Sequence, residues 1–302
     1  MIYPSKIKNI FNLLSLKGSY RVIGSAQLSE TKYASDYDLE EYAKEPNPSH
    51  VLEIFQQKFR TAENNPNLFI TDFKCGVFNN APLRWNKTAM KRGKQKIGNK
   101  WISFEQCLMM KSTIKLDLVA LINGTFTEFS ENYYLKLGKH TTYDTIPRNK
   151  QQISLLDDAK KLFNSGKAFK SLKRIYSYLA LSKMNPVLQS KLMAFFNSDV
   201  GLLNKNKTEL EIILLVLSTT FRKPKRKDVI LNLQLVKDSL KKIKSVDLKE
   251  NISETIDLIC KQKSMKEIRD GIQTTKSYLS KKINEATKSF LDGNKILLSY
   301  IQ

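Results

Sequence analysis

Two aspartates, Asp36 and Asp38, lie one residue apart in the stretch "ASDYDLEEY", and ten residues separate them from the turn-forming pair Gly24-Ser25 in "RVIGSA". Polar and apolar residues alternate around them, which predicts a strand. In a strand, residues i and i+2 emerge on the same face. Two carboxylates held side by side repel each other unless a cation neutralises them. Such oxygen ligands suit a hard divalent ion, Mg2+ or Mn2+. A third carboxylate from a neighbouring strand would let two ions be clamped about 3.5–4 Å apart for in-line displacement at phosphorus. The Gly-Ser turn supplies a complementary part. Backbone N–H groups near Gly24 and the Ser25 hydroxyl can grip a triphosphate, with glycine allowing close approach. Two candidates for the third carboxylate stand mid-strand, Asp72 in "FITDFKCG" and Asp117 in "IKLDLVAL".

The elements that must hold these residues are read from hydrophobic periodicity. An initial helix is predicted near residues 5–16, and strands over 20–26 and 34–42. A helix follows over 48–65, with Ser49 as its cap and Val51, Phe55 and Phe59 as its apolar stripe. Strands are then predicted over 67–76, 112–124 and 126–137, the second of these with Ile114, Leu116, Leu118 and Ala120 on one face. A long segment, basic in its middle, connects residues 76 and 112. The polar stretch "GKHTTYDTIPRNKQQ", from Gly138 to Gln152, reads as a linker. Beyond it the chain reads as helical throughout. Phe169, Leu172, Ile175, Tyr176 and Leu179 form one stripe there, and Lys167, Lys170 and Arg174 another face. The expectation is two domains, 1–148 and 149–302: an α/β (α+β) domain with a mixed sheet, then an all-helical one.

The chain has 302 residues, 41% of them hydrophobic, enough for a substantial core. Its 51 basic and 29 acidic residues leave a net charge of +22, which implies a polyanionic partner, nucleic acid first and a membrane surface second. Residues 151–302 hold 29 of the basic and 15 of the acidic residues. Cys75, Cys107 and Cys260 are widely spaced without a CxxC pair, and His50 and His140 are the only histidines, which argues against a zinc site or a disulfide framework. The N-terminus lacks a continuous apolar leader core, and the longest apolar stretch, "IILLVLSTTF", is too short to span a bilayer. The composition therefore predicts a soluble cytoplasmic chain that is not secreted and has no membrane partner.

The segment "GSAQLSETKYASDYDLEE" resembles the signature of the DNA polymerase beta-type nucleotidyltransferase superfamily: Gly-Ser, a short spacer, then Asp-x-Asp followed by an apolar residue, with Ser35 just before the first Asp. It departs where many members carry a second glycine; here the residues are "AQLSE". The motifs "FKCG", "PLRW" and "IKLDLVALING" also resemble nucleotidyltransferase-like proteins of large DNA viruses. The resemblance implies a nucleotidyltransferase palm followed by a helical domain. Gly24, Ser25 and Ser35 would bind nucleotide, joined by Lys170 and Arg174, and Asp36 and Asp38 would hold metal. In poly(A) polymerase-like members the third Asp lies on the second strand of a hairpin, which favours Asp117 here, with Asp72 as runner-up. The implied activity is template-independent transfer of NMP from an NTP to an acceptor hydroxyl, an RNA 3′ end, with two Mg2+ or Mn2+ ions. The alternative is a catalytically silent nucleotidyltransferase fold serving as a structural or nucleic-acid-binding protein, such as a virion or polymerase-accessory component with viral protein partners.

A nucleic-acid partner, with RNA favoured over DNA, has several candidate contacts. Arg84 could contact phosphate while Trp85 stacks a base. Trp85 reads equally as a turn residue covering the core. Lys91 and Arg92 fall in the basic connection. Arg222, Lys223, Lys225, Arg226 and Lys227 form the cluster "RKPKRK". Each of these cations taken alone reads equally as a solvated charge.

Overall fold

Alternation of polar and apolar residues builds the first unit. In the computed structural model, which describes residues 21–23, 36–43, 47–79, 81–110, 113–135, 148–219 and 221–301, a mixed sheet carries that alternation. For residues 21–23, 36, 41–43, 134–135 and 148–152 the description is of the backbone alone. The helix expected at 5–16, the residues Gly24, Ser25 and Ser35, and most of the expected linker lie outside the described residues.

The elements in chain order are β1 (Arg21–Ile23), β2 (Asp36–Ala43), α1 (Pro48–Asn64), β3 (Leu68–Phe78), β4 (Ala81–Arg84), α2 (Lys87–Arg92), β5 (Lys94–Ile97), β6 (Lys100–Ser103), α3 (Phe104–Met110), β7 (Thr113–Ile122) and β8 (Thr125–Leu135). Helices follow: α4 (Arg148–Asn164), α5 (Ala168–Ser182), α6 (Pro186–Phe196), α7 (Asp199–Ser218), α8 (Arg226–Leu240), α9 (Val246–Lys261), α10 (Met265–Asp292) and α11 (Lys295–Ser299). One sheet has the order β1-β2-β8-β7-β3-β4, and β5 and β6 form a separate two-stranded ribbon. β2 and β8 run parallel; the β1–β2, β8–β7, β7–β3 and β3–β4 pairs are antiparallel. The basic connection, undivided by sequence periodicity, folds into β4, α2, β5, β6 and α3.

The chain divides into two compact units, residues 1–140 with 211–232, and residues 141–210 with 233–302. Sequence periodicity suggests a single boundary near residue 148, whereas the polypeptide passes between the units three times. Both α7 and α8 are divided by these passages.

In the first unit, Leu39, Phe73, Cys75, Ile114, Leu116, Leu118, Phe129 and Tyr133 form one dry face of the sheet. α1 covers it with Val51, Phe55, Phe59 and Ala62. The Phe55 ring meets Phe73 at 5.3 Å and Tyr133 at 5.6 Å, and Phe59 meets Phe73 edge-on at 5.1 Å. Asn47, not Ser49, caps α1: its side chain accepts from the amides of Ser49 and His50, and Pro48 opens the first turn. The β7–β8 turn is Asn123-Gly124, with φ of 51° and 78°, the left-handed pair that a two-residue hairpin requires. Asn232 fastens that turn: its Oδ1 accepts from the Phe126 amide at 2.9 Å and its Nδ2 donates to the Gly124 carbonyl at 2.9 Å. Arg222 donates to the Glu63 and Asn65 carbonyls at the C-terminal end of α1, where carbonyls lack intrahelical partners.

In the second unit α5 buries Phe169, Leu172, Ile175 and Leu179, the stripe read from the sequence, while Tyr176 is half-buried beside Phe196. α10 begins with a capping box, Ser264 with Glu267, and buries Ile268, Ile272, Leu279, Ile283 and Leu291 at helical spacing. Among the described residues, no helix is long and apolar enough to cross a membrane.

One ion pair lies inside the dry face. Lys58 of α1 donates to Glu131 of β8, and the Glu131 side chain is fully buried. A buried pair costs desolvation, but removing one partner strands the other charge. Glu131→Gln and Lys58→Met should each destabilise the protein by about 3–5 kcal/mol in urea unfolding, and the double variant Lys58→Met/Glu131→Leu should recover most of that loss.

Candidate functional site

The second face of the sheet is polar at one end. Because paired strand residues share a face, the register defines rows that run across the sheet. Asp38 of β2 pairs with Ser130 of β8, Ser130 with Asp117 of β7, and Asp117 with Asp72 of β3. The row above begins with Asp36 opposite Glu128. The row below contains the buried Glu40 of β2, then Asn132, Lys115, Lys74 and Arg84, so that on β7, β3 and β4 it is cationic. A carboxylate row thus stands beside a cation row.

β3 reaches this register through a bulge. Ile70 pairs with Leu118 and Asp72 with Asp117, so Thr71 is an extra residue. The Ile70 carbonyl accepts from the Thr219 hydroxyl at 2.7 Å, which satisfies the acceptor at the irregularity. The extra residue keeps Asp72 on the polar face and Phe73 in the core.

The cations engage two of the carboxylates. Lys74 Nζ is 2.6 Å from Asp72 and 3.5 Å from Asp117. Lys115 Nζ is 3.4 Å from Asp117, whose Oδ1 also accepts from the Ser130 hydroxyl. Arg84 Nε is 3.4 Å from Asp72, with most of its side chain exposed. Asp117 therefore already faces two ammonium groups. Asp38 and Glu128 also have interacting partners.

Among the described residues no three Asp, Glu, His or Cys converge tightly enough to hold a metal ion. The Asp36 side chain is outside that description. The donor chemistry nonetheless fits a hard divalent ion at one place. Asp36 and Asp38 share a face of β2, and Glu128 stands opposite Asp36 on the adjacent strand, giving oxygen ligands alone. Asp117 is one strand further away and is compensated by Lys74 and Lys115. β3 and β7 pair antiparallel across the long basic connection, with Asp72 on the first strand of that hairpin and Asp117 opposite it on the second, as the resemblance implies. The tight Asn123-Gly124 turn then leads from β7 to β8, which carries Glu128.

Other sequence candidates distribute differently. Trp85 is 3% exposed, its Nε1 donates to the Cys75 carbonyl at 3.1 Å, and Phe104 packs edge-on against its ring. Both ring faces are inside the core, which removes Trp85 as a base-stacking platform. Arg222 is half-buried and engaged with the end of α1, so its guanidinium is committed to the fold. Lys223, Lys225, Arg226 and Lys227 are exposed. Lys170 and Arg174 are exposed on α5, one turn apart. Arg92 is exposed, and Lys91 is 3.8 Å from Glu63. Lys87, 2.5 Å from Glu63, holds that carboxyl below the usual glutamate range.

A cavity of about 390 Å³ lies between α1 and α2, lined by Gln56, Phe59, Arg60, Glu63, Lys87, Met90 and Lys91. It contains none of the carboxylate row. Burial pushes the Cys107 thiol up to about 11 and Cys75 further still, so neither is a thiolate nucleophile at neutral pH. Glu128, Lys74 and Lys115 are absent from the sequence-based candidate set. Period-two spacing marks both lysines, since each lies two residues from an Asp in "DFK" and "KLD".

No family model matches the chain. Part of it is 29% identical over 149 residues to the uncharacterized protein V21 of the Sputnik virophage, covering 44% of this chain. The match spans about a third of that relative's length. The structure is similar to the crystal structure of the M. chilensis Mg662 protein complexed with GTP, with a TM-score of 0.73 at 13% identity, over 99% of this chain and 94% of that one. It is equally similar to a Megaviridae structure described as a new nucleotidyl transferase, with a TM-score of 0.73 at 13% identity, over 99% and 92% of the two chains. The chain thus has the fold of these solved structures, a mixed sheet followed by helices.

The ion pairs on Asp117 make a measurable contribution. Asp117→Asn leaves Lys74 and Lys115 close together without that counter-charge, and should destabilise the protein by about 2 kcal/mol in urea unfolding. Lys115→Met leaves Asp117 with Lys74 and Ser130 and should cost under about 1 kcal/mol.

Proposed function

We propose that the protein is a nucleotidyl transferase that adds NMP from an NTP to an RNA 3′ hydroxyl without a template. The observation that supports this reading is the placement of Asp36 and Asp38 two residues apart on β2 with Glu128 opposite Asp36 on the adjacent β8, in a chain with the fold of a viral nucleotidyl transferase. The GTP held by the M. chilensis neighbour supports nucleotide binding. In this reading Asp36, Asp38 and Glu128 would hold two divalent ions, Mg2+ or Mn2+. When bound, such ions stabilise charge on the phosphoryl oxygens and make the acceptor hydroxyl more acidic.

The chain's own residues supply the rest. In this reading Gly24, Ser25 and Ser35 bind the triphosphate. Lys74, Lys115 and Arg84 offset phosphate charge from the row below the carboxylates. The acceptor oxygen forms a new bond to the α-phosphorus. The bond from that phosphorus to the bridging oxygen breaks, its electron pair leaves with pyrophosphate, and the hydroxyl proton passes to solvent.

A second reading is favoured by one observation. Lys74, Lys115 and Arg84 neutralise Asp72 and Asp117, as they would in a catalytically silent fold kept for structure or for nucleic-acid binding.

Primer extension separates the two. With Mn2+, a short RNA primer and labelled ATP or GTP, the parent protein should extend the primer. Glu128→Gln and Asp38→Asn should each reduce extension by several orders of magnitude, and Asp117→Asn and Asp72→Asn far less. Mn2+ with a nonhydrolysable NTP should raise the melting temperature of the parent but not of Asp36→Ala/Asp38→Ala. If Asp117→Asn abolishes extension and Glu128→Gln does not, the third carboxylate is Asp117. If no acceptor is labelled with either ion, the silent fold is correct.

A further inference from the structure

Residues 86–104 contain six basic side chains and no acidic one. Two of them, Lys87 and Lys91, pair with Glu63. Arg92, Lys94, Lys96 and Lys100 are exposed and have no carboxylate partner among the described residues. Three of these four, all but Arg92, lie on the β5–β6 ribbon, whose turn is Gly98-Asn99, with Gly98 at a φ of 59°.

The ribbon is two-sided. Gln95 pairs with Ile102, which is buried, and Ile97 packs against the core cluster. The outward side has Lys94 and Lys96 on β5, with Trp101 directly opposite Lys96. Trp101 is 52% exposed, although a tryptophan ring gains more from burial than most side chains do. Lys94 Nζ lies 5.4 Å from the ring centroid, covering part of one face. Nothing in the fold needs the ring outside: Ile102 anchors β6, and Trp85 already closes this part of the core.

An exposed ring flanked by unpaired cations is the combination that binds unstacked bases and the phosphates joining them. Two strand residues on one side lie about 6.7 Å apart. That is a step comparable to the phosphate spacing of an extended single strand. In a duplex the bases stack on each other and offer no face to a ring.

We infer that the β5–β6 ribbon is a single-strand polynucleotide-binding surface, with Trp101 stacking a base and Lys94 and Lys96 holding the adjacent phosphates. This deepens the proposed function by naming where an acceptor strand is held, and so rests on the acceptor being a polynucleotide. Binding itself does not require the transfer chemistry.

The test uses the full chain in EDTA, with a labelled 12-nucleotide oligo(U), oligo(dT), the matching duplex, and free UMP. Trp101 emission should be quenched by the single strands, while Trp85, inside the core, gives a constant background. Single strands should bind at least about tenfold more tightly than duplex or UMP. Trp101→Ala should weaken single-strand binding about five- to hundredfold, and Trp101→Phe should retain most of the affinity. Lys94→Gln/Lys96→Gln should reduce the slope of log K against log salt by about 1.4. Equal binding by parent and Trp101→Ala, or by single strand and duplex, overturns the inference. An unchanged salt slope removes the two lysines from it. Because EDTA excludes the metal-dependent step, an inactive protein can still pass this test, and an active one can fail it.

Discussion

The arrangement of chemical groups in this protein depends on the sheet having one dry face. Leu39, Phe129, Leu118, Leu116 and Phe73 must all point toward α1. A shift of one residue in any strand would move its apolar set to the other side. Once the dry face is fixed, so is the order of Asp38, Ser130, Asp117 and Asp72 across the opposite face. The polar row is thus specified by the packing of residues that never touch it. The bulge at Thr71 adds a residue to β3 where it pairs with β7, and Thr219, brought from much later in the chain, satisfies the carbonyl that the bulge leaves.

Charge is handled differently on the two faces. On the dry face Glu131 has Lys58, and the pair is buried, with the Lys58 ammonium 5.0 Å from the Phe55 ring centroid. On the polar face carboxylates and ammonium groups are more exposed and share partners, Lys74 reaching both Asp72 and Asp117. Shared, partly exposed pairs rearrange more readily when a phosphate or a cation arrives than a fully buried pair does. In the proposed function, an arriving nucleotide would meet the first kind. In the strand register Asp36, Asp38 and Glu128 lie at least one row or one strand from Lys74 and Lys115, and Asp38 and Glu128 have interacting partners as well.

The two tryptophans show how little a residue type says about its role. Both sit in basic surroundings, sixteen residues apart. Trp85 follows the last residue of β4, and its backbone amide donates to the Phe73 carbonyl, which directs the ring into the core. Trp101 falls on the outward side of a ribbon whose other side is occupied by Ile102. A difference in strand parity places one ring in the interior and the other in solvent.

The sequence by itself determined the local facts. Alternation marked β2 and the shared face of Asp36 and Asp38. The spacing of Val51, Phe55 and Phe59 marked α1, and the stripe from Phe169 to Leu179 marked α5. Resemblance in the Gly-Ser and Asp-x-Asp residues pointed to the fold that the solved structures share. These signals have periods of two or about three and a half residues and are complete within a single element. The tertiary structure decided which carboxylate stands beside Asp36, that the chain returns to the first unit at residues 211–232, which tryptophan is exposed, and which cations are already paired. Each of these depends on register between segments far apart in sequence. Register is set by which apolar side chains fill the space beneath α1, by the Asn123-Gly124 turn and by the Thr71 bulge, none of which hydrophobic periodicity along one strand can encode.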